Sequence, residues 1–212
     1  MDNLRRMYVA GAVAAALASA AYADPIGPTC GSCFGTIYTL TYDPVPDSTT
    51  ATTQTFDIFL NLDTSGTTGV GPNLAAVALK VSSMATGVLA SAPAAGWTEM
   101  DGGLAANGCS GSGSGFVCAQ NLSTPLTVPD GTYKWEFDVT VPTGTLNTST
   151  LGSSVKALYG TGTGTSFKNN GITSEDITLQ KAGSSVPEPA SLGLLGLGLA
   201  GLGLARRKSK KS

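Results

Sequence analysis

Residues 132–141 alternate strictly between apolar and polar side chains, which is the pattern of a β-strand with one buried face. An apolar face of this size must be covered by a second layer of structure, because it is not stable in water. The apolar positions are Tyr133, Trp135, Phe137, Val139 and Val141, and the polar positions are Lys134, Glu136, Asp138 and Thr140.

The same alternation recurs along the chain, and segments rich in Gly, Pro, Asn and Asp separate the alternating runs. No part of residues 24–185 reads as an amphipathic helix. We therefore expect one all-β domain over residues 24–185, an antiparallel β-sandwich that folds as a soluble monomer. The predicted strands are residues 34–42, 56–63, 77–81, 115–120, 132–141, 154–159 and 175–180. The predicted turns are residues 43–44, 64–66, 71–73, 129–131 and 169–171, and Gly-rich loops are expected at residues 108–115 and 160–164.

The amino terminus, residues 1–23, has the layout of a secretory signal peptide. Two arginines precede an apolar run from about residue 7 to residue 17, and a small-x-small site follows. The alternative, a buried amino-terminal helix, fits poorly because the segment is so rich in alanine. We expect signal peptidase to cut here and the mature chain to begin at Asp24. The predicted cleavage site comprises Ala21, Ala23 and Asp24.

The carboxyl terminus has three parts in order. A Pro-Glu-Pro motif is followed by residues 190–205, which carry no charge, and then by a basic run. Sixteen residues of helix span about 24 Å, slightly less than a bilayer core, and the cationic side chains recover part of the difference by snorkelling. The basic run should stay in the cytoplasm. The motif comprises Val186, Pro187, Glu188 and Pro189, and the basic stop comprises Arg206, Arg207, Lys208, Lys210 and Lys211.

This tail, residues 186–212, resembles the PEP-CTERM sorting signal of Gram-negative bacteria. The resemblance implies that an exosortase-type transpeptidase recognises Pro187-Glu188-Pro189 and removes the tail. It also implies export, transient anchoring in the inner membrane by a short transmembrane helix, and a final place at the cell surface or in the extracellular matrix, near exopolysaccharide or biofilm. An ordinary membrane anchor that is never cut is the alternative. The Cys-x-x-Cys-Phe-Gly stretch at residues 30–35 and the Ser-Glu-Asp-Ile-Thr-Leu stretch at residues 174–179 also resemble the start and end of a recurring ectodomain type of such proteins, a resemblance that names no activity.

The charge distribution argues against nucleic acid as a partner. Between Asp24 and Pro189 the chain has five lysines, no arginine and thirteen carboxylates, a formal net charge of −8. Nucleic-acid binding needs clustered positive charge against the phosphates, and this region is acidic.

The four cysteines, Cys30, Cys33, Cys109 and Cys118, belong to an exported chain, so we expect disulfides with a structural role. Pairing Cys30 with Cys33 and Cys109 with Cys118 is one possibility, and cross-pairing of the two segments is the other. A redox Cys-x-x-Cys works at a helix amino terminus, whereas this motif runs into a predicted strand. A zinc site would need reduced thiolates, and we expect no metal at the cysteines.

We expect no enzymatic activity and no cofactor. The chain lacks histidine, so a Ser-His-Asp or Cys-His site cannot form. The carboxylates of Asp57, Asp63, Glu136 and Asp138 are predicted on a solvated strand face. Calcium is the one cofactor considered, held by loop oxygens of Asp43, Asp47 or Asp130, although no EF-hand spacing occurs.

Two functions from different classes fit these patterns. The first is a non-enzymatic exported protein of the cell surface or matrix. The second is a carbohydrate-binding module that uses exposed aromatic residues to contact exopolysaccharide. For the second, Trp97 is a candidate for sugar stacking, whereas Trp135 alternates with core residues and is predicted to be buried.

Overall fold

The structure, a computed structural model, describes residues 25–183. Strands dominate this part of the chain, and its one helical element is a short 3-10 turn at Gly164–Ser166. The strands are β1 (Ile37–Tyr42), β2 (Ser48–Thr49), β3 (Thr53–Asp63), β4 (Asn73–Lys80), β5 (Thr86–Ser91), β6 (Thr98–Asp101), β7 (Gly103–Ala105), β8 (Gly108–Gly111), β9 (Phe116–Gln120), β10 (Leu126–Thr127), β11 (Thr132–Pro142), β12 (Ser153–Thr161), β13 (Lys168–Ile177) and β14 (Gln180–Lys181).

The strands form two six-stranded sheets and one hairpin. Sheet A has the order β14-β1-β3-β11-β5, with β2 added beside β3. Sheet B has the order β13-β12-β4-β9-β6, with β10 added beside β4. Neighbouring strands are antiparallel except β1 and β14, which pair in parallel. The hairpin is formed by β7 and β8.

One buried core is built from the apolar faces of both sheets. The two long strands β3 and β11 lie side by side in sheet A, so their period-two patterns point eight large side chains inward. Trp135 and Phe137 are fully buried there, and burial of side chains of this size stabilises the fold by about 1.5–3 kcal/mol each. Sheet B contributes Leu74, Val77, Leu79, Val117, Ala119, Val155, Ala157 and Tyr159 to the same core cluster.

A second, smaller core lies on the outer face of sheet B. Ala76, Ala78 and Leu158 on that face cluster with Leu104 of β7 and Cys109 of β8. The Cys109–Cys118 disulfide attaches β8 to β9 and joins residues that are nine positions apart in the sequence. By lowering the conformational entropy of the unfolded chain, a crosslink over a loop of this size stabilises the fold by about 2–3 kcal/mol. The hairpin is thereby held over an apolar strip of the sheet.

A chain of hydroxyl groups crosses the core between the sheets. Tyr38 of β1 in sheet A meets Tyr159 of β12 in sheet B at 2.7 Å, oxygen to oxygen. Tyr38 also lies 2.8 Å from the hydroxyl of Thr173, and Tyr159 lies 3.0 Å from that of Thr36. Thr36 in turn contacts the hydroxyl of Thr67 at 2.6 Å. All five side chains are buried, so each hydroxyl depends on its neighbours for hydrogen bonds.

The direction of this hydroxyl chain follows from its end. Thr173 donates its one hydroxyl proton to the carbonyl of Ser32 at 2.9 Å. Thr173 must therefore accept from Tyr38, Tyr38 must accept from Tyr159, and Tyr159 must accept from Thr36. Burial, followed by the influence of Tyr159, raises the pKa of Tyr38 well above its ordinary value, so the phenol stays neutral and can donate.

The expectation of an all-β, largely antiparallel domain is confirmed. Three local predictions are wrong. The turn expected at residues 169–171 lies inside β13, where the edge position and a register shift opposite Gly160 accommodate the Asn-Asn-Gly sequence. The Gly-rich loop expected at residues 108–115 begins with β8, because the disulfide and β7 give Gly108–Gly111 a partner. The loop expected at residues 160–164 likewise begins inside β12.

Within residues 25–183, the structure has no helix that is long and apolar enough to cross a membrane. The predicted signal peptide at residues 1–23 and the predicted transmembrane span at residues 190–205 lie outside the described residues.

We predict that Tyr38→Phe lowers the free energy of unfolding by about 1–3 kcal/mol, because it removes the donor to Thr173 and the acceptor of Tyr159 in a buried site. Tyr133→Phe is the matched control. Its hydroxyl donates to the carbonyl of Thr127 at 2.7 Å near the surface, where water can replace it. Urea denaturation of both variants measures the difference, and equal losses would contradict a special role for the buried chain.

Candidate functional sites

The Cys30–Cys33 disulfide closes a short loop that leads into β1. Inside the loop, the backbone N–H and the hydroxyl of Ser32 both donate to Oε1 of Glu175, at 2.9 and 2.6 Å. The carbonyl of Ser32 accepts from Thr173, as described above. Glu175 and Thr173 belong to β13, the edge strand of sheet B, so the loop ties the start of β1 in sheet A to sheet B.

The backbone after the disulfide is a tight turn and not the start of a helix. Phe34 and Gly35 have φ angles of 52° and 81°, and the strand begins at Ile37. A Cβ on Gly35 would collide with the carbonyl oxygen of Gly66, so only glycine fits this close approach. Without a helix amino terminus at its first cysteine, the motif lacks the dipole that activates a redox thiolate.

The expectation that the cysteines form disulfides is confirmed, and the pairs are Cys30–Cys33 and Cys109–Cys118. Ligand atoms of Cys30, Cys33 and Glu175 lie within 4.8 Å of one another, which is compatible in distance with a metal site. The two sulfur atoms are bonded to each other, however, and are not available as thiolate ligands.

Three carboxylates converge on the outer face of sheet A, and we refer to Asp47, Asp57 and Asp138 as the acidic cluster. Asp57 of β3 and Asp138 of β11 are directly opposed in the sheet register. Asp47 is brought alongside by the short turn before β2, since its N–H donates to the carbonyl of Thr55 at 2.9 Å. One oxygen from each of the three lies within 4.8 Å of the others.

The acidic cluster changes the protonation of its central member. Partial burial, a hydrogen bond with Asp47, and the charges of Asp47, Glu136 and Asp138 together raise the pKa of Asp57 to about 6. The pKa of Asp63, the last residue of β3, is shifted in the opposite direction. Hydrogen bonds from the hydroxyl and N–H of Ser65, at 2.7 and 3.0 Å, lower the pKa of Asp63.

An open cleft of about 410 Å³ adjoins the acidic cluster at the β5 side of sheet A. Asp138 and Asp101 both line the cleft, so it is acidic. Its hydroxyl groups come from Thr55, Thr86 and Thr140. Like-charged walls of this kind suit a neutral or cationic ligand better than an anion. The lining residues are Thr55, Thr86, Gly87, Val88, Asp101, Asp138 and Thr140.

The structure separates the three residues considered for calcium. Asp47 belongs to the acidic cluster, whereas the carboxylate of Asp43 accepts the N–H of Val45 at 2.9 Å and that of Asp130 lies 3.3 Å from the hydroxyl of Tyr133. Asp57 and Asp138 lie on the strand face on which the alternation places them. They are not separate, water-surrounded carboxylates, however, because they face each other across the sheet and lie close to Asp47. The alternation shows which face a side chain is on, and it carries no signal for the register that brings these two together.

The suggestion that Trp97 stacks on a sugar is wrong. Trp97 is 8% exposed and packs edge-on against the buried Trp135, with ring centroids 5.1 Å apart. Both rings belong to the core cluster, and Trp135 is buried as predicted. An indole covered in this way cannot offer a face to a ligand.

Comparison with known proteins concerns the end of the chain. The family model described as the PEP-CTERM protein-sorting motif matches residues 185–208. By this motif, the chain is a PEP-CTERM protein. No curated protein matches the sequence.

In this PEP-CTERM protein the matched segment includes the predicted motif at residues 186–189, the uncharged residues 190–205 and the first three residues of the basic run. The match covers the tail alone and does not extend into the folded domain. It implies an exported protein that is processed by an exosortase.

We predict that Asp57→Asn stabilises the PEP-CTERM protein at pH 7 by about 0.5–1 kcal/mol, a value discounted for solvent screening. The pKa of Asp57 is about 6 in the folded protein and about 4 in the unfolded chain. Between these two pH values the folded form binds more protons than the unfolded form, so acid favours folding there. The electrostatic penalty of Asp57 is therefore fully present above pH 6 and disappears below pH 4. Melting temperatures between pH 4 and pH 8 should rise toward acid more steeply in the wild type than in Asp57→Asn.

Asp63→Asn is the control on the same strand. Its lowered pKa means that the ionised carboxylate stabilises the fold above the unfolded pKa and that this contribution is lost as the pH falls through the folded pKa. The substitution should not stabilise the protein at pH 7. If both variants shift the melting temperature in the same direction, the acidic cluster does not act as described.

Proposed function

We propose that this PEP-CTERM protein is a non-enzymatic protein of the cell surface or extracellular matrix. Signal peptidase removes residues 1–23, the tail holds the protein transiently in the inner membrane, and an exosortase-type transpeptidase cuts at the Pro-Glu-Pro motif. The observation that carries the proposal is the sorting motif at residues 185–208, which follows an all-β domain with two disulfides.

Several properties of the chain support the membrane stage. Residues 190–205 are uncharged and rich in Leu and Gly, which is typical of closely packed membrane helices. Five cations follow within the last seven residues, where the positive-inside rule places them in the cytoplasm. Disulfides are typical of proteins that fold outside the cytoplasm.

A non-enzymatic role is supported by the chemistry of the chain. Histidine is absent from the sequence, so general acid–base catalysis would fall to carboxylates. The Asp57 carboxyl has a raised pKa, but burial, the hydrogen bond with Asp47 and the neighbouring carboxylates account for this shift. The raised pKa therefore does not require a catalytic role for Asp57. We also propose no resident cofactor. Of the three aspartates considered for calcium, Asp47 alone belongs to the acidic cluster, and the carboxylates of Asp43 and Asp130 contact Val45 and Tyr133 instead.

Carbohydrate binding by the folded domain is the second candidate. It is favoured by two open clefts. One is lined largely by hydroxyl, amide and glycine residues, and the other has three threonines in its lining. Such linings suit a ligand that presents many hydroxyl groups of its own.

We predict that replacing Pro187, Glu188 and Pro189 by alanine in the native host leaves membrane insertion intact and blocks processing. The uncharged span and basic stop are unchanged, so the protein should accumulate uncut in the membrane fraction. Immunoblotting of membrane, periplasmic and released fractions measures the size and the place of the protein.

Aspartates at Leu195 and Leu197 provide the contrasting variant. Each charge at the centre of the span costs about 2.5–3.5 kcal/mol on insertion scales, so this protein should pass into the periplasm unanchored and unprocessed. Release of the triple-alanine protein at the normal size and rate would mean that Pro-Glu-Pro is a linker and that the tail is an ordinary anchor.

A further inference from the structure

A second cleft, of about 450 Å³, lies where the end of β4 meets the loop between β11 and β12. We refer to it as the basic cleft. None of its lining residues carries a carboxylate, and one is a lysine. They are Lys80, Ser82, Ser83, Gly144, Thr145, Leu146, Asn147 and Gly152.

The walls of the basic cleft are held in place by hydrogen bonds. The N–H of Asn147 donates to the carbonyl of Val81 at 2.8 Å, which attaches the loop to the end of β4. The side-chain amide of Asn147 donates to the carbonyl of Gly152 at 2.7 Å and closes the loop on itself. The hydroxyls of Ser82 and Thr145 meet across the cleft wall at 3.1 Å. A ligand would therefore meet a preorganised surface, which lowers the entropic cost of binding.

Two lysines concentrate positive charge beside this cleft. Lys80 of β4 is directly opposite Phe116 of β9 in the register, and Lys156 of β12 lies on the same face. The Nζ atoms of Lys80 and Lys156 lie 5.5 and 4.7 Å from the centroid of the Phe116 ring. The ring attracts both cations and holds them near one another, although they repel. An anion bound between them would relieve that repulsion.

The surrounding charge is consistent with an anionic ligand. Asp176 lies two strands from Lys80 in the same row, with Ser154 of β12 between them, and its Oδ1 accepts the Ser154 hydroxyl at 2.8 Å. This single carboxylate, separated from Lys80 by a whole strand, does not cancel the charge of two ammonium groups. The acidic cluster lies on the outer face of the other sheet, and the cleft beside it is lined by Asp101 and Asp138, so the two clefts described here have opposite charge.

We propose that the basic cleft binds a segment of a carboxylated polysaccharide. Carboxylates of the sugar chain bind to Lys80 and Lys156, and its hydroxyls bind to the Ser, Thr and backbone groups of the lining. The two lysines are point charges without the planar donor fork of arginine, and the domain is acidic overall, which disfavours phosphate-rich polymers such as nucleic acid. The inference rests on the carbohydrate-binding candidate above and not on sorting by the tail.

The test measures binding of a hexameric oligogalacturonate to the full-length chain, purified in a neutral detergent, by isothermal titration calorimetry at low salt. We expect Lys80→Gln and Lys156→Gln each to weaken binding about tenfold, the loss typical of one charge-assisted contact. Lys134→Gln is the matched control, because Lys134 lies 4.2 Å from the centroid of the Phe59 ring on the outer face of sheet A. It should leave the affinity unchanged.

A variant that keeps all charges tests the cleft itself. Ser83 is exposed, so Ser83→Tyr should fold normally, fill the cleft and weaken binding, with an unchanged melting temperature as the check on folding. A neutral hexameric glucan should bind at least tenfold more weakly than the oligogalacturonate. Inorganic phosphate should bind more weakly still, because it lacks the hydroxyls that the lining groups hold.

The outcomes that overturn the proposal are distinct. Absence of oligogalacturonate binding excludes it. Equal weakening by Lys134→Gln means nonspecific attraction, and equal affinity for inorganic phosphate means a small-anion site. The sorting assay is read separately on the unsubstituted chain. Normal processing of a chain that does not bind oligogalacturonate would leave the sorting proposal intact, and oligogalacturonate binding by a chain that is not processed would leave the binding proposal intact.

Discussion

The hydroxyl chain between the two sheets constrains their relative position. It runs from Thr67 through Thr36, Tyr159 and Tyr38 to Thr173, and every member is buried. A buried hydroxyl without a partner costs about 1–3 kcal/mol, so a shift of sheet A against sheet B would be penalised at several positions at once. Apolar packing alone tolerates small slips, because it has no direction. The hydroxyl chain therefore gives the core a single register, and it ends on the carbonyl of Ser32 inside the Cys30–Cys33 loop.

The interior of the fold was largely predictable from the sequence. The strand β11 was predicted almost to the residue, because it lies between β3 and β5 in sheet A and buries one complete face. The edge strands β5 and β6 were missed, since an edge strand such as Thr86–Ser91 has several exposed positions and no strict alternation. The Asn-Asn-Gly segment at residues 169–171 lies in β13 and not in a turn for a related reason, because turn-forming residues are tolerated in a strand that has a neighbour on one side only.

The candidate sites were less predictable than the strands, because they depend on register. Alternation correctly places Asp57 and Asp138 on the outer face of sheet A, but their direct opposition follows from the pairing of β3 with β11. The same pairing rule brings Lys80 opposite Phe116 in sheet B. A shift of one residue in either pair would move these side chains to the other face, which the buried neighbours forbid. The sequence did not decide between the possible disulfide pairings, because the pairing of Cys109 with Cys118 depends on which strands become neighbours.

The two outer faces therefore differ in charge, although both arise from the same alternating pattern. Sheet A carries Asp57, Glu136 and Asp138 on adjacent strands, and the charges of Glu136 and Asp138 add to burial and the contact with Asp47 in raising the pKa of Asp57. Sheet B carries Lys80 and Lys156 around one ring. A negatively charged polymer that approaches this domain is repelled by the first face and attracted by the second. Within about 8 Å at physiological salt, this difference favours an approach with the basic cleft toward the polymer, which is the orientation that the proposed binding needs.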